Sequence, residues 1–183
     1  MRKFQIHNYQ KQVILGTVLG TSCVRKHPNG INYSLHLRLT KDEEWFRVKC
    51  KHLEEYARDT DFDKTWESCS HVVWNDFFDL CYVDGHKEVT MDWLNRLTTI
   101  GLSVWFLDKG GICGDLAYIR IANLNGHDIV KKWFIEVGFP CEIEKKLVVF
   151  SKDVSRKFLK SVTPHFPKYL LERSNPYFIR KSL

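Results

Sequence analysis

Two apolar segments of similar length occupy residues 14–22 and residues 102–111 of this chain. In each of them apolar side chains recur at the spacing of a helix, and a polar residue followed by a small one ends the segment. The segments lie near the starts of two similar stretches of sequence. The pattern therefore predicts two helices that form an internal repeat.

Small residues predict how these two helices pack. Gly16 and Gly20 are four residues apart, so they share one face of the first helix and let another backbone approach closely. The segments end at Thr21-Ser22 and at Gly110-Gly111. Two helices that pack along small faces would bring positions 21 and 109 together at one end of the pair.

Alternating polar and apolar residues follow each predicted helix. Pro28-Asn29-Gly30 predicts a hairpin turn, and residues 31–40 after it have the period of a half-buried strand with one core face and one polar face. Residues 116–122 alternate in the same way and place Tyr118 and Arg120 on a common polar face. Each half is thus predicted to contain a sheet.

The rest of the first stretch predicts a helix, a hairpin and another helix. Thr40 begins a capping box, and apolar residues at helical spacing from Phe46 onward indicate a covering helix with its Lys and Glu residues in water. Residues 61–75 are typical of a second hairpin, and a short helix is predicted from Asn75 to Cys81.

The second stretch repeats this order. The glycine-rich residues 110–114 predict a flexible bend, and a helix is expected from His127 to Val137 with Gly138 beyond its end. Two strands joined at Lys145-Lys146 follow, and Ser151 is expected to cap a last helix.

The two segments resemble the paired motifs of the LAGLIDADG homing endonucleases in their single-chain form, and residues 77–89 resemble the family's lead-in to the second motif. The resemblance covers roughly residues 12–170. It implies an α+β fold in which two pseudo-symmetric α-β-β-α-β-β-α halves pack through a central pair of motif helices and form a saddle of two antiparallel sheets. The expected divisions are residues 1–90 and 91–170, the two halves, and 171–183, a loosely ordered basic tail.

The resemblance also implies a catalytic site, which this chain has altered. In that family the penultimate motif residue is acidic in both copies, and the two carboxylates hold divalent metal for phosphodiester hydrolysis. The corresponding residues are Thr21 and Lys109, whose hydroxyl and ammonium groups cannot replace anionic oxygen ligands. Cleavage is therefore expected to be lost and no metal or other cofactor is expected, with Mg²⁺ implied only if cleavage is retained. Asp108, Lys87 and Lys146 are the fallback catalytic candidates.

The same resemblance assigns DNA binding to the polar faces of the strands. The candidate contacts on or beside these strands are Arg25, Lys26, Ser34, His36, Arg38, Tyr118, Arg120 and Lys145. Arginine can recognise guanine in the major groove, and short hydroxyl and imidazole side chains can adapt to several bases. Without the resemblance, an ordinary solvated sheet surface would explain the alternation.

Composition agrees with a folded, basic protein. The 183 residues are 44% hydrophobic and 14% aromatic, and the net charge of +6 favours a polyanionic partner. Double-stranded DNA is the expected partner, structured RNA is the second candidate, and a monomer is expected.

The amino terminus lacks an apolar signal region and no 18-residue apolar run occurs, which argues against secretion and membrane insertion. Six scattered cysteines indicate free thiols, so an intracellular protein is expected.

Four functions remain open from sequence. The first is a sequence-specific DNA-binding protein, descended from a mobile-element endonuclease, that no longer cuts. The second is an active site-specific endonuclease with a metal site rebuilt around Asp108. The third is an RNA-binding splicing cofactor, as some family members are, and the fourth is a protein-binding antagonist that contacts no nucleic acid.

Overall fold

A computed structural model describes residues 4–26, 30–39, 42–58, 64–122 and 124–173. The helices in these ranges are α1 (Asn8–Gly20), α2 (Glu43–His52), α3 (Val73–Cys81), α4 (Met91–Asn95), α5 (Thr99–Lys109), α6 (His127–Glu136), α7 (Lys152–Val162) and α8 (Lys168–Arg173). The strands are β1 (Cys23–Lys26), β2 (Tyr33–Arg38), β3 (Thr65–Glu67), β4 (Tyr82–Val83), β5 (His86–Lys87), β6 (Gly110–Cys113), β7 (Leu116–Arg120), β8 (Cys141–Glu144) and β9 (Leu147–Phe150).

Helices α1 and α5 lie side by side at the centre of the molecule, as the small residues predict. A Cβ atom at Gly16 would overlap the carbonyl oxygen of Gly101, and one at Gly20 would lie 2.6 Å from Cβ of Asp108. Such close approach is possible only where the side chain is absent. Buried Gln12 also fixes the pair, because its side chain accepts from the backbone N–H of Thr98 at 2.7 Å.

The first sheet has three antiparallel strands in the order β1-β2-β3. The predicted turn at residues 28–30 lies partly outside the described residues, but the strands on either side of it pair as expected. The predicted hairpin at 61–75 is wrong in its second strand, because residues 73–74 already belong to α3. Buried Trp74 faces the core from that helix, which explains why apolar residues there resembled a strand.

The second sheet has four antiparallel strands in the order β6-β7-β9-β8. Residues 110–113 form its edge strand β6, so the predicted flexible bend is wrong over those residues. Pairing with β7 supplies the backbone hydrogen bonds that extend this glycine-containing segment. Lys145 and Lys146 have φ values of 48° and 67° and form the predicted turn between β8 and β9.

Other element ends differ from prediction in small ways. Asp42 caps α2, because its carboxylate accepts the backbone N–H of Trp45 at 2.8 Å; Thr40, where the capping box was predicted to begin, lies outside the described residues. Helix α6 forms as predicted, with Gly138 at φ 85° just beyond it. Arg173 lies in α8, which corrects the expected start of the loose tail; residues 174–183 lie outside the described ranges.

The structure confirms the predicted fold class. It is an α+β protein in which antiparallel sheets flank a central pair of motif helices, and the core is continuous across both halves. Four fully buried tryptophans contribute to this core: Trp66, Trp74, Trp93 and Trp105. None of the described helices combines the length and the apolar character that a membrane span needs.

Candidate functional site

The carboxyl ends of α1 and α5 meet, as the sequence predicts. Thr21 Oγ1 donates to Asp108 Oδ2 at 3.1 Å, and Thr17 Oγ1, one turn earlier in α1, donates to the same oxygen at 3.0 Å. Thr17 and Ser22 also share a buried hydrogen bond of 3.0 Å between their hydroxyl groups. We refer to the ends of α1 and α5, residues 17–22 and 106–109, as the helix tips.

The other carboxylate oxygen of Asp108 is bound from α2. Lys49 Nζ donates to Asp108 Oδ1 at 2.6 Å, and Trp45 Nε1 donates to it at 2.7 Å. The side chains of Lys49 and Asp108 are both completely buried. Lys49 Nζ makes a further hydrogen bond of 3.1 Å to Thr17 Oγ1. This carboxylate therefore has four donors and an internal counter-ion.

The prediction that the Lys and Glu residues of α2 all face water is wrong for Lys49, which is buried. It lies four residues after Trp45 and three after Phe46, so it shares their face of the helix and points into the core. A buried ammonium is tolerated only with a counter-charge and hydrogen-bond acceptors, and Asp108 and Thr17 supply them. The remaining charged residues of α2, such as Glu43 and Arg47, are exposed as expected.

These groups do not fit the family's divalent metal. The one carboxylate at the helix tips already binds an ammonium, two hydroxyls and an indole N–H, and it faces the protein interior. Thr21 and Lys109, which the sequence resemblance assigns to the family's two acidic positions, supply a hydroxyl and an ammonium, and an ammonium repels a divalent cation. Among the described residues, no three His, Cys, Asp or Glu side chains gather as metal ligands would.

The two fallback lysines differ in environment. Lys87 Nζ donates to the carbonyl oxygens of Val18 at 2.8 Å and Ser22 at 2.7 Å, so it binds the carboxyl end of α1. Burial lowers the pKa of Lys87, and the nearby cations Lys109 and Arg38 lower it further, against the opposing effect of two cysteines. Lys146, in contrast, is exposed in the β8–β9 turn. Lys87 thus acts in the described structure as a helix cap.

The outward face of the first sheet contains a buried polar network. Ser34 and His36 are only 2% and 8% exposed, which corrects the prediction that they face water. His36 Nε2 lies 2.9 Å from Ser34 Oγ and 3.2 Å from Glu67 Oε1. Burial lowers the pKa of His36 to about 4, with three nearby arginines adding to the effect and Glu67 opposing it. These two side chains are therefore not free to contact a ligand.

The cations around this network are exposed. Arg25, Lys26 and Arg38 all point to solvent, and none of them forms an ion pair with another described residue. Arg58 is also exposed and its guanidinium approaches Glu67 at 3.8 Å. The first sheet therefore presents guanidinium groups above a hydrogen-bonded layer formed by Ser34, His36 and Glu67.

The second sheet presents a different outward face. Tyr118 is half-buried, with its hydroxyl lying over Gly111, where an added Cβ would be only 2.5 Å from Oη. Arg120 and Lys145 are exposed, as predicted. Exposed Glu142 and Glu144 share this side of the sheet, and Glu142 binds Lys131 of α6 at 2.5 Å.

Sequence reasoning missed the groups that bind Asp108 and His36, namely Thr17, Trp45, Lys49 and Glu67. One signal was present: Lys49 interrupts an apolar helical stripe, which indicates either a buried charge or a stripe that ends early. Nothing in the sequence pairs it with Asp108, which lies 59 residues away.

The chain is similar to known proteins in both sequence and structure. The family model described as LAGLIDADG DNA endonuclease matches residues 11–158, well over half of the chain. The solved structure of the homing endonuclease I-WcaI bound to its DNA recognition sequence has a TM-score of 0.76 at 15% identity, covering 98% of this chain and 88% of that one. The structure of I-DmoI in complex with DNA and Ca has a TM-score of 0.56 at 11% identity, covering 93% and 100%. No curated protein matches the chain in sequence. At these identities the two structures show a shared fold.

Proposed function

The chain belongs to the LAGLIDADG DNA endonuclease family, and on that premise we propose that it binds double-stranded DNA without cleaving it. The observation that carries the proposal is the state of Asp108. The only carboxylate at the helix tips is neutralised by buried Lys49, while Thr21 and Lys109 stand where the family has acidic residues.

Three observations support DNA as the partner. The net charge is +6, and exposed Arg25, Lys26 and Arg38 lie on or beside the outward face of the first sheet. Lys109 and Arg38 are close enough to Lys87 to lower its pKa, so cations also cluster at the helix tips. The two structures with the same fold contain DNA. Clustered cations of this kind attract a phosphate backbone through counterion release.

The chemistry of the helix tips supports the absence of cleavage. Mg²⁺ binds through hard, anionic oxygens and is reluctant to lose its water ligands. Recruiting Asp108 would require separating it from Lys49 and leaving an uncompensated ammonium in the core, which is costly. Lys109 can instead bind a phosphate oxygen as a fixed cation.

The test for cleavage uses duplexes selected by the full-length protein from a random library. A selected site is placed in a supercoiled plasmid and incubated with protein and Mg²⁺ or Mn²⁺. We expect no relaxed or linear product at protein concentrations that saturate binding. Strand scission that disappears in Asp108→Asn, with that variant still folded and still bound, would establish the endonuclease with a rebuilt metal site instead.

The test for DNA binding uses charge reversal. Arg25→Glu combined with Arg38→Glu should weaken duplex binding about 30-fold or more at low salt, because two attractive phosphate contacts become repulsive. The affinity of the natural chain should fall steeply with salt, by about 10³-fold between 50 and 200 mM if about six phosphates are neutralised. Unchanged duplex binding in the double variant would show that these two arginines do not contact the DNA backbone, whereas no duplex binding by the natural chain would favour a partner other than nucleic acid.

A further inference from the structure

The outward face of the second sheet has a row of three side chains with different chemistry. Arg120 of β7 lies directly opposite Leu147 of β9, and Leu147 lies directly opposite Glu144 of β8. Directly opposed residues of an antiparallel sheet project on the same side. The row therefore presents a hydrogen-bond donor, an apolar group and a hydrogen-bond acceptor in that order.

The two ends of this row are available for binding. Arg120 and Glu144 are exposed, and neither forms a salt bridge with another described residue. They are separated by two strand spacings, which is about 10 Å. This distance corresponds to about three base-pair steps of B-DNA, whose rise is about 3.4 Å.

The charges of the two sheets differ. The first sheet has exposed Arg25 and Arg38, and its acidic residue Glu67 is already bound by Ser34 and His36. The strands of the second sheet combine Arg120 with Glu142 and Glu144 on their outward side, so the strands themselves carry no cationic excess; the exposed lysines of this sheet, Lys145 and Lys146, lie in the β8–β9 turn at its end. A carboxylate is repelled by phosphate but accepts a hydrogen bond from the amino group of cytosine. The second face thus suits base edges better than the backbone.

We propose that the second sheet recognises G·C pairs, with Arg120 donating to guanine and Glu144 accepting from cytosine N4, while the first sheet provides most of the phosphate binding. Leu147, between them, lies where it can contact a thymine methyl group. This inference rests on the proposed DNA binding, and it adds which residues determine sequence preference and which determine affinity.

The inference predicts opposite signatures for the two sheets. A correct bidentate contact discriminates against the wrong base by about 5-fold to 100-fold, whereas a phosphate contact has no base preference. Replacing Arg25 or Arg38 by Ala should lower affinity for every duplex and reduce the slope of log K against log salt by about 1 each. Replacing Glu144 should leave that slope unchanged and alter the preferred sequence.

The experiment compares duplex selection by the natural chain, Arg120→Ala and Glu144→Gln. Each variant should lose its preference at one G·C position, and the two positions should lie within about three base pairs of each other. At the Glu144→Gln position adenine should become acceptable, because glutamine pairs with adenine N6 and N7. Glu136→Gln is the matched control, since Glu136 is an exposed carboxylate on α6, the helix that packs against the core side of the sheet.

The outcomes separate this inference from the proposed function. If the natural chain selects no duplex, DNA binding itself is refuted. If it selects a sequence that Arg120→Ala and Glu144→Gln leave unchanged, DNA binding stands and the assignment of base recognition to this row is wrong. A Glu144→Gln chain that binds all duplexes more tightly with no change in preference would show that Glu144 only repels the backbone.

Discussion

The covering helices of the two halves differ by one buried charge. Both insert an adjacent Trp-Phe pair into the core, Trp45-Phe46 from α2 and Trp133-Phe134 from α6, but α2 also inserts Lys49 beside the central helix pair. On the α6 side, the ring of Phe134 stacks on Trp105 of α5 with centroids 5.8 Å apart. The first half of the fold thus holds an ion among its aromatic rings, and α6 in the second half holds aromatic rings without one.

The buried lysine shows that the charge at the helix tips is balanced by residues from both halves. Lys49 belongs to the first half, but its counter-ion Asp108 belongs to the motif helix of the second half. The ion pair therefore crosses the helix pair, and the hydroxyls of Thr17 and Thr21 complete it from α1. The aromatic side needs no such partner, because burial of apolar surface is favourable by itself. Each half therefore depends on the other for the electrostatic compensation of its buried charge.

Breaking the ion pair should have the largest effect. Lys49→Met leaves Asp108 buried without its counter-ion, and the free energy of unfolding should fall by about 3 to 5 kcal/mol. Chemical denaturation followed by circular dichroism measures this loss.

A second variant and a surface control make this prediction specific. Lys49→Met combined with Asp108→Asn should recover at least half of the lost stability, because the amide oxygen can still accept from Trp45 Nε1 while the amide nitrogen donates to a threonine hydroxyl. Arg47→Met, which removes the exposed pair with Glu43 on the same helix, should cost less than about 0.5 kcal/mol. Equal losses of stability in Lys49→Met and Arg47→Met would show that the buried ion pair stabilises the fold no more than the exposed one.

The pH dependence of stability should come from the first sheet. In the folded chain the pKa of His36 is about 4, well below the ordinary value of 6.5. Between these two pH values the unfolded state therefore binds more protons than the folded state. The free energy of unfolding should therefore rise from pH 4 to 6.5 by on the order of 2 kcal/mol from this group, and become flat above. The measurement compares the natural chain with His36→Gln across that range; parallel curves would contradict the assignment to His36.

The smallest of these effects on stability should distinguish Lys87 from Lys146, the two lysines named as fallback catalytic candidates. Lys87→Met removes two hydrogen bonds to partly buried carbonyl oxygens at the end of α1 and should cost about 1 to 2 kcal/mol of stability. Lys146→Met, in the exposed turn of the second half, should change stability by less than about 0.5 kcal/mol. Thermal unfolding of both variants tests the contrast, and a comparable loss in Lys146→Met would disprove it.

Much of the architecture followed from local pattern. The small residues Gly16 and Gly20 predicted the close helix pair, and the alternation of residues 116–120 predicted β7 and its two faces. Positions 21 and 109 were predicted to meet, and the contact between Thr21 and Asp108 confirms that the helix tips adjoin. Periodicity and steric size are properties of neighbouring residues, so the sequence displays them directly.

The candidate site was less predictable. The alternation around Ser34 and His36 showed which side of β2 they lie on, but not that Glu67 and its neighbours cover them. The edge strand β6 was missed because its extended conformation depends on pairing with β7 rather than on its own glycine-rich sequence. For Ser34 and His36 the deciding contact comes from a residue distant in sequence, and for β6 it comes from the next strand of the same hairpin.

The sequence by itself determined the repeat, the two helices with small faces and the strands with one apolar face, and its resemblance to the family predicted that Thr21 and Lys109 replace both acidic residues. Tertiary structure alone decided that Asp108 turns inward to Lys49 and that Lys87 binds the end of α1. The physical reason is that a side chain's charge environment depends on which groups folding brings within a few ångströms, whereas helical and strand periodicity depend on the chain's own geometry.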